Sequence, residues 1–228
     1  METYLTPDDV GKMEEAADCL RDRLLIRILF HLGCRISEVI SLRVEDIDLV
    51  KGSVTVIHLK ERVRVFCPDC KSGIAKAHRF CPGCGRKLDE AERVALQHCR
   101  RRTLPVDTGT LEMLRDYVQR GGPVYRKGQM LIFGINRHRS WQIVRHCAQK
   151  AGLAPLLNPE TGRLRGISPH RLRDAFAVHA VKLDDSGDGL RLLQEHLGHV
   201  SFNTTAKYRK VAGEEHRQWY DRLWNDQT

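Results

Sequence analysis

Two Cys-x-x-Cys pairs, Cys67-Pro68-Asp69-Cys70 and Cys81-Pro82-Gly83-Cys84, stand ten residues apart in this chain and constrain its fold more than any other feature. Each pair suits a tight turn that aims two thiolates at one point. Two such turns brought face to face give tetrahedral sulfur coordination, which zinc prefers. Gly83 and Gly85 supply the backbone freedom these turns need. A segment so short and polar cannot bury a core, whereas structural zinc contributes on the order of 10–16 kcal/mol to folding a small unit. A redox disulfide pair and an iron site are the competing readings. Four sulfur ligands leave no open position, so the metal is expected to be structural. Cys19, Cys34, Cys99 and Cys147 have no partner at ligand spacing and read as core or surface thiols.

The texture around these pairs sets the organisation. From about Phe66 to Arg100 the chain is rich in Cys, Gly and Lys, and this stretch separates two strand-like pieces, Val54–Val65 and Arg102–Val106. A module inserted into a β-hairpin is the simplest reading. The rest is mostly helical. Thr6-Pro7-Asp8-Asp9 is a helix start, with Thr6 as cap and acids at the positive end of the helix dipole. Val10, Met13, Ala17 and Leu20 share one stripe. Further helices are expected from Arg23 to Gly33, from Arg35, over Thr110–Arg120, and from Ser140 as cap to Gly152. After a loop with Pro155, Pro159 and Gly162, helices are expected around His170–Val181, Leu190–His196 and Ser201–Val211. A last amphipathic one covers His216–Trp224, with one small sheet near the N-terminal third.

The 228 residues carry a formal net charge of +9. From Asn136 to Leu183 nine Lys or Arg face only Glu160 and Asp174. Such a patch favours a polyanion, nucleic acid above all, although a solvated basic face without a partner reads equally well from charge alone. No apolar run approaches the roughly 20 residues that span a bilayer, and the N-terminus lacks a signal-peptide core. The chain therefore reads as cytoplasmic, with no membrane partner.

His170 and Arg173 fall three residues apart on one helical face, with His199 and Tyr208 downstream. Arg, His and Tyr together can run phosphodiester chemistry without a metal: cations hold non-bridging oxygens and a phenol attacks phosphorus. A lone His-x-x-Arg is usually a surface pair, and a lone Tyr is usually packing.

Four blocks make the pattern specific. Gly33-Cys34-Arg35-Ile36-Ser37-Glu38-Val39-Ile40-Ser41-Leu42 resembles the first box of the tyrosine recombinase (phage integrase) family, G-x-R-x-S-E-x-x-x-L. Ile167-Ser168-Pro169-His170-Arg171-Leu172-Arg173 is similar to the second, built around H-x-L-R. Leu193-Gln194-Glu195-His196-Leu197-Gly198-His199-Val200-Ser201 resembles L-Q-x-x-L-G-H-x-S, and Thr204-Thr205-Ala206-Lys207-Tyr208 matches T-T-x-x-Y.

The resemblance implies a mainly α fold with a small antiparallel sheet (α+β). Residues 1–66 and 100–228 would form the catalytic domain, and 67–99 an inserted zinc ribbon with Cys67, Cys70, Cys81 and Cys84 as ligands. It implies a DNA strand-exchange enzyme that needs no catalytic cofactor and takes no small-molecule substrate. Tyr208 would attack the scissile phosphate to form a 3′-phosphotyrosyl link. Arg35 and Arg173 would hold the non-bridging oxygens, His199 would donate a further hydrogen bond, and His170 would act as general base. Lys60, at the end of the Val54–Leu59 strand, matches the family's hairpin lysine, the general acid; Lys87 and Lys71 are the fallbacks. Double-stranded DNA is the implied partner, bound by a tetramer, with Trp219 and Trp224 of the last helix packing on a neighbour or within one chain. Two departures stand out. Asp174 follows Arg173 where His is frequent, and the usual N-terminal DNA-clamping domain is not in this sequence, so the chain is expected to be either a fragment or a natural minimal recombinase. Lys71, Lys76, Arg79, Arg86 and Lys87 of the ribbon could supply phosphate contacts in its place, or the ribbon could serve stability alone. Two other functions share these features: a topoisomerase IB-like nicking-closing enzyme, and a catalytically inactive zinc-ribbon accessory protein.

Overall fold

The computed structural model describes residues 2–57, 65–74, 78–88, 101–158 and 161–209. The chain divides into two compact units, Met1–Val56 with Arg102–Thr228, and Ile57–Arg101.

In the larger unit, helix α1 (Pro7–Glu15) opens as its sequence dictates. Thr6 Oγ1 accepts from the Asp9 N–H and Asp9 Oδ2 accepts from the Thr6 N–H, a reciprocal cap. The expected stripe from Val10 to Leu20 is split, because α1 stops at Glu15 and Leu20 begins α2 (Leu20–His31). Helix α2 is apolar on most of its circumference, as a central helix must be; Leu24, Leu25, Ile26, Ile28 and Leu29 are fully buried. It packs against α1, α4 (Thr108–Gln119) and α6 (Pro169–Leu183). Helix α3 (Ile36–Ile40) follows at once.

A three-stranded sheet orders β1 (Ile47–Asp48), β2 (Ser53–Ile57) and β5 (Arg101–Pro105) side by side. β1 and β2 run antiparallel, with Ile47 opposite Val54. Val54 and Val56 alternate into the core, as the period of two requires. Two further hairpins correct the expectation of a single sheet. β6 (Val124–Arg126) pairs with β7 (Gln129–Leu131) through Lys127-Gly128, both at positive φ as in a two-residue hairpin turn. β8 (Leu156–Leu157) pairs with β9 (Leu164–Arg165) inside the segment expected as loop.

Helix α5 (Arg137–Lys150) starts three residues before the expected cap. Asn136 Oδ1, not Ser140, accepts from the first turn (Arg139 N–H, 2.8 Å), and Ser140 is buried with its hydroxyl donating to the Asn136 carbonyl. Helix α7 (Gly187–Leu197) is capped by Ser186 and ends on Gly198 in the left-handed conformation, and α8 (Phe202–Ala206) leads to Tyr208. A small core of Ala177, Val178, Val181, Leu190, Leu193 and Leu197 from α6 and α7 takes in the Tyr208 ring. No helix among the described residues is long and apolar enough to cross a membrane. The expected helix His216–Trp224, with Trp219 and Trp224, lies outside the described residues.

In the smaller unit, β3 (Val65–Phe66) pairs antiparallel with β4 (Gly73–Ile74), and Phe80 bridges to Lys87. Each pairing holds one Cys-x-x-Cys turn, and the two turns are built alike. Cys67 N donates to Ser72 O and Lys71 N to Cys67 O; Cys81 N donates to Arg86 O and Gly85 N to Cys81 O. The fifth residue of each turn, Lys71 or Gly85, sits at positive φ (56° and 74°). The four Sγ atoms lie within 4.8 Å of one another, with Cys67 3.6 Å from Cys84 and Cys70 3.4 Å from Cys81. Among the described residues of this unit, the apolar core is Cys67, Ile74, Cys81 and Leu88.

Candidate active site

The site is assembled around a buried arginine. Arg173 is 2% exposed on α6, and a buried cation requires acceptors. Two helix ends supply them. Arg173 Nη1 donates to the Gly33 carbonyl (2.7 Å), just past α2, and Nη2 donates to the Leu197 carbonyl (2.8 Å), at the end of α7. The last carbonyls of a helix have no partner within it and carry the negative end of its dipole, so both ends attract the guanidinium. Glycine makes each end possible. Gly33 has φ +53°, and a Cβ there would lie 2.4 Å from the Phe176 ring; Gly198 has φ +65°. Burial, and next the charge of Arg35, push Arg173 down to about 10; it stays cationic at neutral pH.

Arg35 approaches from the start of α3. Its backbone N–H donates to Glu38 Oε2 (2.9 Å) and its Nη1 to Oε1 (3.1 Å). Glu38 is 1% exposed and also accepts from Arg102 Nη2 (2.8 Å) and Nη1 (3.3 Å). One carboxylate thus orients two guanidiniums, with a third, Arg173, close enough to feel Arg35 and Arg102. Three cations near one carboxylate leave a net positive charge suited to a phosphate.

His199 lies beside Arg173. Its Nε2 accepts from Arg173 Nη2 (3.0 Å), so the ring proton sits on Nδ1 and is donated to Thr205 Oγ1 (2.9 Å). Gln194 fixes its backbone, donating through Nε2 to the His199 carbonyl and accepting from the His199 N–H. Burial, then Arg173 and Arg35, push His199 down to about 4, which makes the imidazole neutral.

Tyr208 and His170 meet on Asp174. The Tyr208 hydroxyl donates to Asp174 Oδ1 at 2.8 Å, and His170 Nε2 is 3.8 Å from the same oxygen. Tyr208 is 4% exposed. Burial, and after it the Asp174 carboxylate, raise its phenol above the ordinary tyrosine value. The His170 ring is largely exposed, yet desolvation lowers its pKa, with Arg173, Lys207 and Arg171 adding to that and Asp174 opposing it. The phenol borders a cleft of about 280 Å³ lined in part by Arg165, His170, Arg171, Asp174 and Lys207. Its ring centroid is 6.5 Å from that of His199.

With this geometry established, comparison with known proteins decides the family. The phage integrase family is matched over residues 3–73 and 91–215, most of the chain. The chain belongs to the phage integrase family. It is 27% identical over 223 residues to "Tyrosine recombinase XerD" of Neisseria meningitidis serogroup B, covering 92% of this chain and 59% of that protein. The chain thus spans about three fifths of that relative's length. Its fold matches the crystal structure of XerA recombinase with a TM-score of 0.63 at 19% identity, covering 98% of this chain and 64% of that one. It also matches XerH site-specific recombinase bound to palindromic difH substrate, in a post-cleavage complex, with a TM-score of 0.61 at 19% identity, covering 96% and 52%.

Within this integrase-family unit, Arg35, Arg173 and His199 lie close enough to interact, and His170 and Tyr208 share Asp174. Lys60 lies outside the described residues, and its fallbacks Lys71 and Lys87 are exposed. The family match omits residues 74–90, which include Cys81 and Cys84. Sequence reasoning did not find the Glu38–Arg102 pair or the Asp174–Tyr208 contact. Glu38 was visible as part of the first box, whereas Arg102 carried no signal beyond its place in a strand-like piece.

Proposed function

We propose that this chain is a site-specific recombinase or integrase that cleaves and rejoins duplex DNA through a 3′-phosphotyrosyl intermediate. The observation that carries this reading is the cluster of Arg35, Arg173 and His199 beside a buried tyrosine. In it a phosphodiester replaces protein–protein repulsion with attraction. Arg35 and Arg173 hold the two non-bridging oxygens, and their charge stabilises the pentavalent transition state. The added negative charge favours the His199 imidazolium, which then donates through Nε2 to a phosphoryl oxygen. Tyr208 Oη forms the bond to phosphorus and the 5′-oxygen leaves, protonated by Lys60. A 5′-hydroxyl attacking in reverse reseals the strand, so bond energy is conserved and no nucleotide cofactor enters. His170 manages the tyrosine proton.

Cys67, Cys70, Cys81 and Cys84 fit structural zinc: four sulfurs converge within 4.8 Å, and two of them, Cys67 and Cys81, are buried with Ile74 and Leu88. The ion supplies folding energy and no catalytic step. The family resemblance further implies a tetramer spanning two DNA sites.

A pool of nicked duplexes with randomised sequence around the nick tests the activity, because a short severed fragment diffuses away and traps the adduct. A covalent protein–DNA band on a denaturing gel, lost in Tyr208→Phe, supports the reading. No band from the unaltered chain overturns it. Joining of the trapped strand to a second duplex separates recombination from nicking and closing alone.

A further inference from the structure

We propose that Asp174 is a catalytic residue, which positions the Tyr208 hydroxyl and takes its proton as the phenolic oxygen attacks phosphorus, His170 then passing that proton to solvent. This rests on Tyr208 being the nucleophile.

The contact is specific. Among the described residues, Asp174 is the sole hydrogen-bond partner of Tyr208 Oη, at 2.8 Å, and both side chains are buried. His170, assigned the base by family pattern, makes no hydrogen bond to the phenol; its nearest approach is to Asp174 Oδ1, at 3.8 Å. His170 and Asp174 are four apart on α6, so both rise from one face of the helix. The carboxylate stands between phenol and imidazole.

Cations surround the carboxylate. Arg171 Nη1 is 3.4 Å from Asp174 Oδ2. Arg165 from β9, Lys207 and Tyr4 line the same cleft. A buried carboxylate is retained where cations surround it, and an acceptor-only carboxylate can take a proton from an O–H donor that it already holds. A neutral acceptor of equal shape can hold the hydroxyl but cannot remove its proton.

The step balances. Oη–H breaks and the proton goes to Asp174 Oδ1, while the Oη electron pair forms the bond to phosphorus. The pair of the breaking P–O bond leaves on the 5′-oxygen, which takes its proton from the general acid, Lys60. Asp174 is restored when His170 accepts the proton, through a closure of less than 1 Å to hydrogen-bond distance. The His170 ring is 69% exposed and hands the proton to water. On religation the path runs backwards.

The test uses a nicked duplex recovered from the randomised pool, bound in advance to excess protein, with single-turnover adduct formation followed from pH 5 to 9. Asp174→Asn is expected to slow adduct formation by about 10²-fold or more, to leave the Kd for the duplex within about twofold, and to lose the acidic limb of the profile, the rate instead climbing with hydroxide. Asp174→Glu, which keeps a carboxylate on a longer arm, is expected to recover part of the rate and the acidic limb. If Asp174→Asn unfolds, Asp174→Glu decides alone, because an unshifted pH profile at unchanged rate overturns the proposal. Adduct formation in Asp174→Asn at or above the unaltered rate also overturns it, and makes the contact a restraint on the nucleophile. Absence of any adduct from the unaltered chain overturns the Tyr208 reading and this one with it, whereas a normal adduct with an indifferent Asp174→Asn removes only this one.

Discussion

Arg173 Nη1 donates at 2.7 Å to the carbonyl of Gly33, 140 residues away in sequence. One side chain thereby binds the end of α2, and through Nη2 the end of α7, to the same point. Arg173→Lys keeps the charge but has no fork to reach both carbonyls. One buried carbonyl then loses its donor, which costs about 1–3 kcal/mol. The variant is expected to unfold at lower temperature than the unaltered chain, by calorimetry, and to lose most covalent trapping. An unchanged Tm would show that the two carbonyls do not depend on this guanidinium.

Gly33 and Gly121 separate backbone strain from crowding. Both have positive φ, but a Cβ on Gly33 would lie 2.4 Å from Phe176, whereas one on Gly121 meets nothing within 4 Å. Alanine at Gly121 is expected to destabilise by about 1 kcal/mol through the left-handed conformation alone. Alanine at Gly33 adds about 1–3 kcal/mol of overpacking. Denaturant midpoints measure the difference, and equal losses would contradict the packing argument.

The neutral state of His199 makes stability depend on pH. Burial, then Arg173 and Arg35, hold it down at about 4, against about 6.5 unfolded. Between those values the unfolded chain binds a proton that the folded chain refuses, so stability is full above pH 6.5 and falls as the pH drops towards 4. Solvent screening of the partly exposed ring keeps the loss from His199 below about 3 kcal/mol. His196, lowered mainly by burial, acts in the same direction. Urea unfolding at pH 7 and pH 5 is expected to show the drop, and His199→Gln a shallower one. A pH-independent midpoint would mean that His199 stays accessible to protons in the fold.

Chelation should unmake the smaller unit selectively. Two of the four buried apolar residues among its described residues, Cys67 and Cys81, are themselves ligands, so losing the metal removes part of that core. Elemental analysis is expected to give one zinc per chain, and Cys67→Ser with Cys70→Ser to give none. Limited proteolysis is then expected to cut within residues 65–88. Full metal content in the double variant would remove the four-sulfur site.

What was legible in the sequence follows from what is local. The capping box of Thr6 and Asp9, the stop at Gly33 and the two Cys-x-x-Cys turns each depend on residues within a few positions. Arg35, Arg173 and His199 were named from family spacing, which stands in for a three-dimensional arrangement that no local rule describes. The hairpins β6–β7 and β8–β9 escaped because strands of two or three residues are too short to show alternation. Asn136 and Ser140 are both capping residue types, and burial of Ser140 settled which one caps. The pairs Glu38–Arg102 and Asp174–Tyr208, 64 and 34 residues apart, exist only once the chain folds.

The basic cleft beside Tyr208 carries the last prediction. Arg165, Arg171 and Lys207 face it, and Arg171 is already paired with Asp174. Arg165 and Lys207 therefore have the most charge to offer a DNA backbone. Each phosphate contact releases condensed counterions, so log Kd is expected to vary linearly with log salt, with a steep slope. Arg165→Gln or Lys207→Gln should each weaken binding to a similar extent on any duplex sequence and lower that slope by about 1. Fluorescence anisotropy across a salt series measures both. A slope unchanged by the two substitutions would place the DNA elsewhere on the protein, and a flat salt response in the unaltered chain would remove backbone binding altogether.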